Sequence, residues 1–240
     1  MLTFVLVHGG WHDGSCWAQV VGDLEQAGHR AFAPTISGNG KTADRRVNHA
    51  ICTAAVVDFI MHNEISDFVL AGHSYGGTII AKVAEAIPER IRRLVFFDAF
   101  VLLDGQCLFD ETPQNVAVAE AGALASGNDT FLPPFDLVRD VFFNTVSREE
   151  ALRFYSQWSP QPMQPFRDRL DLKEFYRLSI PKSYLTCTED IRVPMPELSW
   201  HPRFSNRLGR FRFVSMPGDH EAMYTNPALL ARKLVEAGRD

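Results

Sequence analysis

The stretch that most constrains this chain is Asp67-Phe-Val-Leu-Ala-Gly-His-Ser-Tyr-Gly-Gly77. An apolar run, Phe68 to Ala71, meets Gly72-His73-Ser74-Tyr75-Gly76, and residues suited to a buried helix follow, with Pro88 as a stop. Gly-x-Ser-x-Gly between a strand and a helix is the pattern of a nucleophile elbow. The turn is so tight that a Cβ two residues before or after the serine would collide with its surroundings. Glycine removes the collision at Gly72 and Gly76. Such a turn lifts the Ser74 hydroxyl clear of the sheet and aims the Tyr75 N–H at any oxyanion forming beside it. Alone the motif is weak, because a serine in a glycine-rich turn is common; its flanks give it weight.

The rest of the chain supplies a scaffold for that turn. Phe4 to Val7 is a continuous apolar run of the kind buried on both faces of a parallel sheet, and it ends in His8-Gly9-Gly10-Trp11. Glycines directly after a strand let backbone N–H groups face a ligand, so Gly10 is the second expected oxyanion donor. A helix is expected over 15–27, a short strand at 30–33, and a helix over 47–62 with Ile51, Ala55, Val56, Phe59 and Ile60 on its apolar side. After the elbow, Ile91 to Phe97 is a further strand. Strand and helix alternate, which predicts an α/β fold: a mostly parallel sheet of about six strands covered by helices on both faces.

The alternation breaks between 102 and 180, a stretch rich in Phe, Trp, Met and Pro. Helices are expected at 136–143 and 147–157, and no strand pattern is visible. We read 102–180 as a helical cap inserted into a core made of 1–101 and 181–240. A cap of this kind excludes water and shapes an apolar pocket over the serine. Trp11, Phe131 and Trp158 are candidate pocket walls, with Leu132, Phe142, Phe154 and Met163 beside them. The sheet resumes at 182–187, runs into Thr188-Glu189-Asp190-Ile191-Arg192-Val193-Pro194, and finishes with a strand at 211–216 leading to Pro217-Gly218-Asp219-His220-Glu221; a helix over 227–237 closes the chain.

A serine hydroxyl needs a base to take its proton and a third group to fix that base. After Ser74 there are only two histidines, His201 and His220. His220 follows the last strand, at the carboxyl edge where such sites gather, and is the expected base. Asp190 is the expected acid, with Glu189, Asp98 and Asp219 as rivals. His73 is expected to point into the fold.

Composition narrows the function. The chain has 240 residues, 46% hydrophobic and 22% charged, enough for a sizeable core in one domain. A net charge of −5 gives no footprint for nucleic acid. No apolar run approaches a membrane span, and no signal-peptide pattern opens the chain. Cysteines at 16, 52, 107 and 187 are too scattered for a zinc site or a disulfide framework, so a cytoplasmic protein with free thiols is expected. No metal-ligand cluster or dinucleotide fingerprint is visible, and no cofactor is expected.

These residues together resemble the α/β-hydrolase superfamily, and more narrowly its branch of plant methylesterases, hydroxynitrile lyases and small bacterial serine esterases. The matching pieces are Val5 to Trp11 with Trp17, Gly72 to Gly77, Cys187 to Asp190 and Gly218 to Met223. The resemblance implies Ser74 as nucleophile, Asp190 as acid, His220 as base, and an oxyanion hole from the N–H groups of Gly10 and Tyr75. The expected activity is hydrolysis of a small apolar or aromatic ester through an acyl-enzyme, by a monomer or homodimer. Alternatives are a hydroxynitrile lyase, a cofactor-independent dioxygenase and a ligand-binding protein on the same fold. The lyases of this branch resemble one another in a lysine after the base and a threonine in the first loop; here Glu221 and Gly9 stand there, and a carboxylate beside a departing cyanide has the wrong sign.

Overall fold

The computed structural model describes residues 1–192 and 199–240. Val193 and Pro194, read above as the end of the loop after the fifth sheet strand, lie outside the described residues. In chain order the elements are β1 (Thr3–Val7), α1 (Ala18–Gln26), β2 (Arg30–Phe32), α2 (His49–His62), β3 (Phe68–His73), α3 (Gly76–Ala86) and β4 (Ile91–Phe97). Then come α4 (Leu108–Glu111), α5 (Pro113–Ser126), β5 (Thr130–Phe131), α6 (Phe135–Val141), α7 (Arg148–Tyr155), β6 (Gln161–Pro162), α8 (Gln164–Arg167) and α9 (Lys173–Arg177). The chain finishes with β7 (Lys182–Cys187), β8 (Arg212–Met216), α10 (Ala222–Thr225) and α11 (Pro227–Gly238).

Six strands form one parallel sheet in the order β2-β1-β3-β4-β7-β8. Side chains alternate across it, as the twofold period of a strand requires. Val5, Val7, Leu70, Leu94, Phe96 and Tyr184 face a core shared with α2 and α3. Phe4, Leu6, Val69, Ala71, Val95, Phe97 and Leu185 face a second core shared with α1 and α11. Both faces are buried, which is why β1 and β3 read as unbroken apolar runs rather than alternating ones.

The strand order places the site. The chain crosses from β2 at one edge back over β1 to β3, so β1 and β3 lie side by side at the point where the order reverses. Ligands bind outside the carboxyl ends of strands at such a point. The loop after β1 carries Gly9 and Gly10, and the turn after β3 carries Ser74.

Two details differ from the sequence reading. In α2 the buried residues are His49, Cys52, Val56 and Ile60, whereas Ile51 is exposed. Apolar residues lie on nearly every side of this helix, so composition barely marks which side meets the sheet. The inserted region also holds a short antiparallel pair, β5 with β6. Each strand is two residues long, too short to leave an alternating pattern.

Candidate active site

Ser74 stands where β3 turns into α3, with φ of 53°, in the left-handed region that is costly for a residue with a side chain. The turn is over-determined by its neighbours. Ser74 N–H donates to Phe97 O at 3.2 Å, and its carbonyl accepts from Phe100 N at 3.1 Å and Gly77 N at 3.1 Å. The glycines are required by space: a Cβ on Gly72 would stand 2.6 Å from the Gly76 carbonyl oxygen, and one on Gly76 would stand 2.6 Å from His8 O. The loop after β1 lies against the nucleophile, since a Cβ on Gly9 would be 3.1 Å from Ser74 Cβ.

Tyr75 caps α3, so its N–H belongs to the first turn, whose donors have no partner inside the helix. In the facing loop, Trp11 N–H is already committed to Gln161 Oε1 at 3.1 Å. Trp11 has φ of 67°, and the cap holds it there. Its carbonyl accepts from Ser159 N at 2.8 Å, and its indole N–H donates to Phe131 O at 2.9 Å.

His220 and Asp190 come together. His220 Nδ1–H donates to Asp190 Oδ2 at 2.6 Å, and both side chains are buried. Asp190 Oδ1 accepts from Arg192 N at 2.7 Å. The other ring nitrogen of His220 is buried with no hydrogen-bond partner, so the Ser74–His220 hydrogen bond is not closed in this structure. Such bonds commonly tighten only once substrate is bound. Burial opposes a charged imidazole, but the Asp190 charge and hydrogen bond, with Glu221, outweigh it and hold His220 above its ordinary value.

The rivals are sorted by what they touch. Glu189 is exposed. Asp219 ties the cap to the base loop, accepting from Thr145 Oγ1 at 2.6 Å and Thr225 Oγ1 at 2.8 Å. His201 contacts Ser205 Oγ at 2.7 Å through Nδ1. His73 points inward as expected: its Nε2–H donates to the His220 carbonyl at 2.9 Å. Burial, then the neighbouring His220 and His12, push its pKa well down, so it stays neutral. Asp98 is the informative rival. It is wholly buried, accepts from Thr186 Oγ1 at 2.6 Å and Cys187 N at 3.0 Å, and has an oxygen within 4.8 Å of Asp190 and His220. Burial and the Asp190 charge push its pKa well above the carboxylate range, so of the two acids it is the one that keeps its proton.

Aromatic rings pack against the residues that flank the serine. Trp11 and Trp158 stack at 5.7 Å between centroids and 7° between planes. Phe142 meets His220 edge-on at 5.4 Å, and Phe166 lies 4.8 Å from Tyr75. Phe131, expected as a wall, offers its carbonyl to Trp11, while its ring packs on α5, where a Cβ on Gly122 would clash with it at 2.3 Å.

Two contributors were not foreseen. His12 sits behind the glycine loop, donating from Nδ1 to Gly10 O at 2.6 Å and facing Glu221 at 3.0 Å from Nε2 in a fully buried pair. Trp200 stacks on His220 and reaches Asp190. Both stand beside residues that sequence reasoning did weigh, Trp11 and His201, and only the position of His12 in a loop already of interest was a usable signal.

Comparison with known proteins gives a consistent picture. A family model described as "Alpha/beta hydrolase family" matches residues 4–233. A carbendazim hydrolyzing esterase from Nocardioides sp. (strain SG-4G) is 40% identical, with 99% of this chain and 100% of that protein covered. Salicylic acid-binding protein 2 from Nicotiana tabacum is 26% identical over 97% of this chain and 95% of its own. Among solved structures, an extracellular alpha/beta-hydrolase from a Paenibacillus species, described as sharing structural and functional homology with Tobacco Salicylic Acid Binding Protein 2, superposes with a TM-score of 0.97 at 43% identity, covering 100% of both chains.

Proposed function

Starting from a chain that belongs to the alpha/beta hydrolase family and has esterases among its full-length relatives, we propose a serine carboxylester hydrolase that works through an acyl-enzyme. The observation that carries this reading is the buried Asp190–His220 pair, at 2.6 Å, with the free ring nitrogen of His220 on the same edge of the sheet as the strained Ser74.

In the proposed reaction His220 Nε2 takes the Ser74 hydroxyl proton as Oγ attacks the ester carbonyl carbon. The carbonyl oxygen gains the electron pair and is held by the N–H groups of Gly10 and Tyr75. Asp190 holds the imidazole in the tautomer that leaves Nε2 free and stabilises the imidazolium. The imidazolium then gives the proton to the departing alkoxide, leaving an acyl-Ser74 ester. Water, activated by His220, repeats the sequence and releases the acid.

The ring of Trp11, Trp158, Phe142 and Phe166 around this edge favours a small ester with a flat aromatic group on its acyl side. Carbendazim, a planar heteroaromatic methyl carbamate, belongs in the test set because of the Nocardioides relative. The protein is read as a monomer or homodimer acting on a small molecule. Four buried free cysteines suit a reducing compartment such as the cytoplasm; the Paenibacillus relative is extracellular, so fractionation of the source cells is the direct check.

The test is turnover of short aryl and methyl esters, carbendazim included, by the wild type and Ser74→Ala side by side. Hydrolysis by the wild type and a loss of about 10³-fold or more in the variant is the expected result. Equal turnover by the two proteins would remove Ser74 from the reaction.

A further inference from the structure

Trp200 lies against both His220 and Asp190. Trp200 Nε1–H donates to Asp190 Oδ2 at 2.6 Å, the same oxygen that accepts from His220 Nδ1 at 2.6 Å. Its ring lies flat on the His220 imidazole, 5.2 Å between centroids and 13° between planes. Trp200 is 2% exposed and is itself wedged by Phe100 at 4.9 Å and Phe204 at 5.6 Å. The turn that carries it is clamped to the cap: Arg203 and Arg207 both donate to the buried Glu111 of α4, at 2.6 and 2.8 Å. A side chain held this firmly, with its only polar atom on the acid and its face on the base, does more than fill space.

We propose that Trp200 is a positioning residue of the triad, fixing Asp190 as the carboxylate partner of His220 and setting how strongly that partner pulls on the imidazole's proton. The inference rests on the serine-hydrolase reading for its place in the reaction, but its electrostatic part can be read without turnover.

The physical argument concerns one oxygen. A hydrogen bond to an ionised carboxylate favours the charged form. Among the described residues Asp190 receives three such bonds, from Arg192 N, Trp200 Nε1 and His220 Nδ1, while Asp98 receives two, from Thr186 and Cys187. Asp98 is pushed well above the carboxylate range by burial and the Asp190 charge, and the indole bonds to Asp190. Because Trp200 and His220 share Oδ2, the indole also draws charge from the atom that stabilises the imidazolium. Removing the donor alone leaves more charge on Oδ2, stabilises protonated His220 and moves its titration to higher pH.

Other groups around the pair do not change in that comparison. Asp98 and the neighbouring Tyr184 and Cys187 are pushed up by burial and keep their protons. His73 is pushed down and stays neutral. Glu221 is engaged with His12, and the Arg192 guanidinium lies over Phe142.

The test replaces Trp200 in two ways. Trp200→Phe keeps a stacking ring and removes the N–H. Incorporation of 3-benzothienylalanine at this position keeps the bicyclic shape and replaces only the N–H by sulfur, which covers the case in which the phenylalanine variant folds poorly. The His220 titration is followed by imidazole NMR and by the acid limb of kcat/KM on an ester that the wild type hydrolyses. In both variants the titration should move about half a unit to one unit to higher pH. kcat should fall roughly tenfold with KM nearly unchanged, because a group that acts only through the triad does not bind the ground state. An unmoved titration, or one displaced to lower pH, overturns the proposal. If the wild type hydrolyses no ester, the functional reading fails separately, and the NMR titration still decides the role of Trp200.

Discussion

At the scale of single residues the site is a contest between two buried acids over one histidine. Asp98 and Asp190 both lie near His220, and sequence position alone does not separate them, since each follows a sheet strand. Hydrogen bonding separates them: His220 Nδ1 is bonded to Asp190, and Asp98 is desolvated into its protonated form. Asp98→Asn replaces one neutral group by another of the same shape. It should keep kcat/KM within about threefold, whereas Asp190→Asn should lose about 10³- to 10⁴-fold. The base works only when unprotonated, and His220 is held above its ordinary value of 6.5. Activity should therefore fall as pH drops through a midpoint above the ordinary imidazole value of 6.5, and Asp98→Asn should leave that midpoint in place. A pH–rate profile of the wild type and the two variants reads all of this. At this scale the motif residues Ser74, His220 and Asp190 were legible, because their chemistry dictates residue type and order. Trp200 and His12 were not: an indole or an imidazole that acts through a neighbour has no spacing of its own, and its partner is 10 residues away for Trp200 and 209 for His12 by sequence number.

At the scale of elements, the strained turn between β3 and α3 is stored in packing rather than in the turn itself. A Cβ on Gly76 would stand 2.6 Å from the His8 carbonyl oxygen and 2.8 Å from that of Val7, so only glycine fits the elbow while β1 is alongside. Gly76→Ala puts a methyl into backbone that cannot move without breaking the β1–β3 register. It should cost about 1–3 kcal/mol of stability, visible as a lower thermal midpoint. It should also lower kcat, because His8 leads directly into the glycine loop that faces Ser74; a variant with wild-type stability and wild-type kcat would show that the turn has room to spare. The sheet strands were legible because both faces are buried and β1 and β3 are plain apolar runs. The cap was legible only as a break in that pattern. Its short strands, and the Trp11 bonds to Gln161, Ser159 and Phe131, depend on pairings between distant residues that local periodicity does not record.

At the scale of the whole molecule, parts scattered along the chain meet at one edge of one sheet. The glycine loop follows β1, the nucleophile β3, the acid β7 and the base β8, and the strand order sets these loops side by side. The cap is laced to three of them: to the glycine loop through Trp11, to the base loop through Thr145 and Asp219, and to the acid loop through Asn144, which donates to Glu189 O; Glu111 ties it to Arg203 and Arg207 as well. The inserted region and the proposed triad are thus tied to each other through these loops. The central claim is that this edge makes Ser74 a nucleophile, and it is tested most directly by covalent capture. The native protein would be treated with a fluorophosphonate probe and digested, and the labelled peptide sequenced by mass spectrometry. The account predicts a single label on Ser74, lost in His220→Ala. A label on another residue, or none under conditions where the wild type hydrolyses an ester, would contradict it.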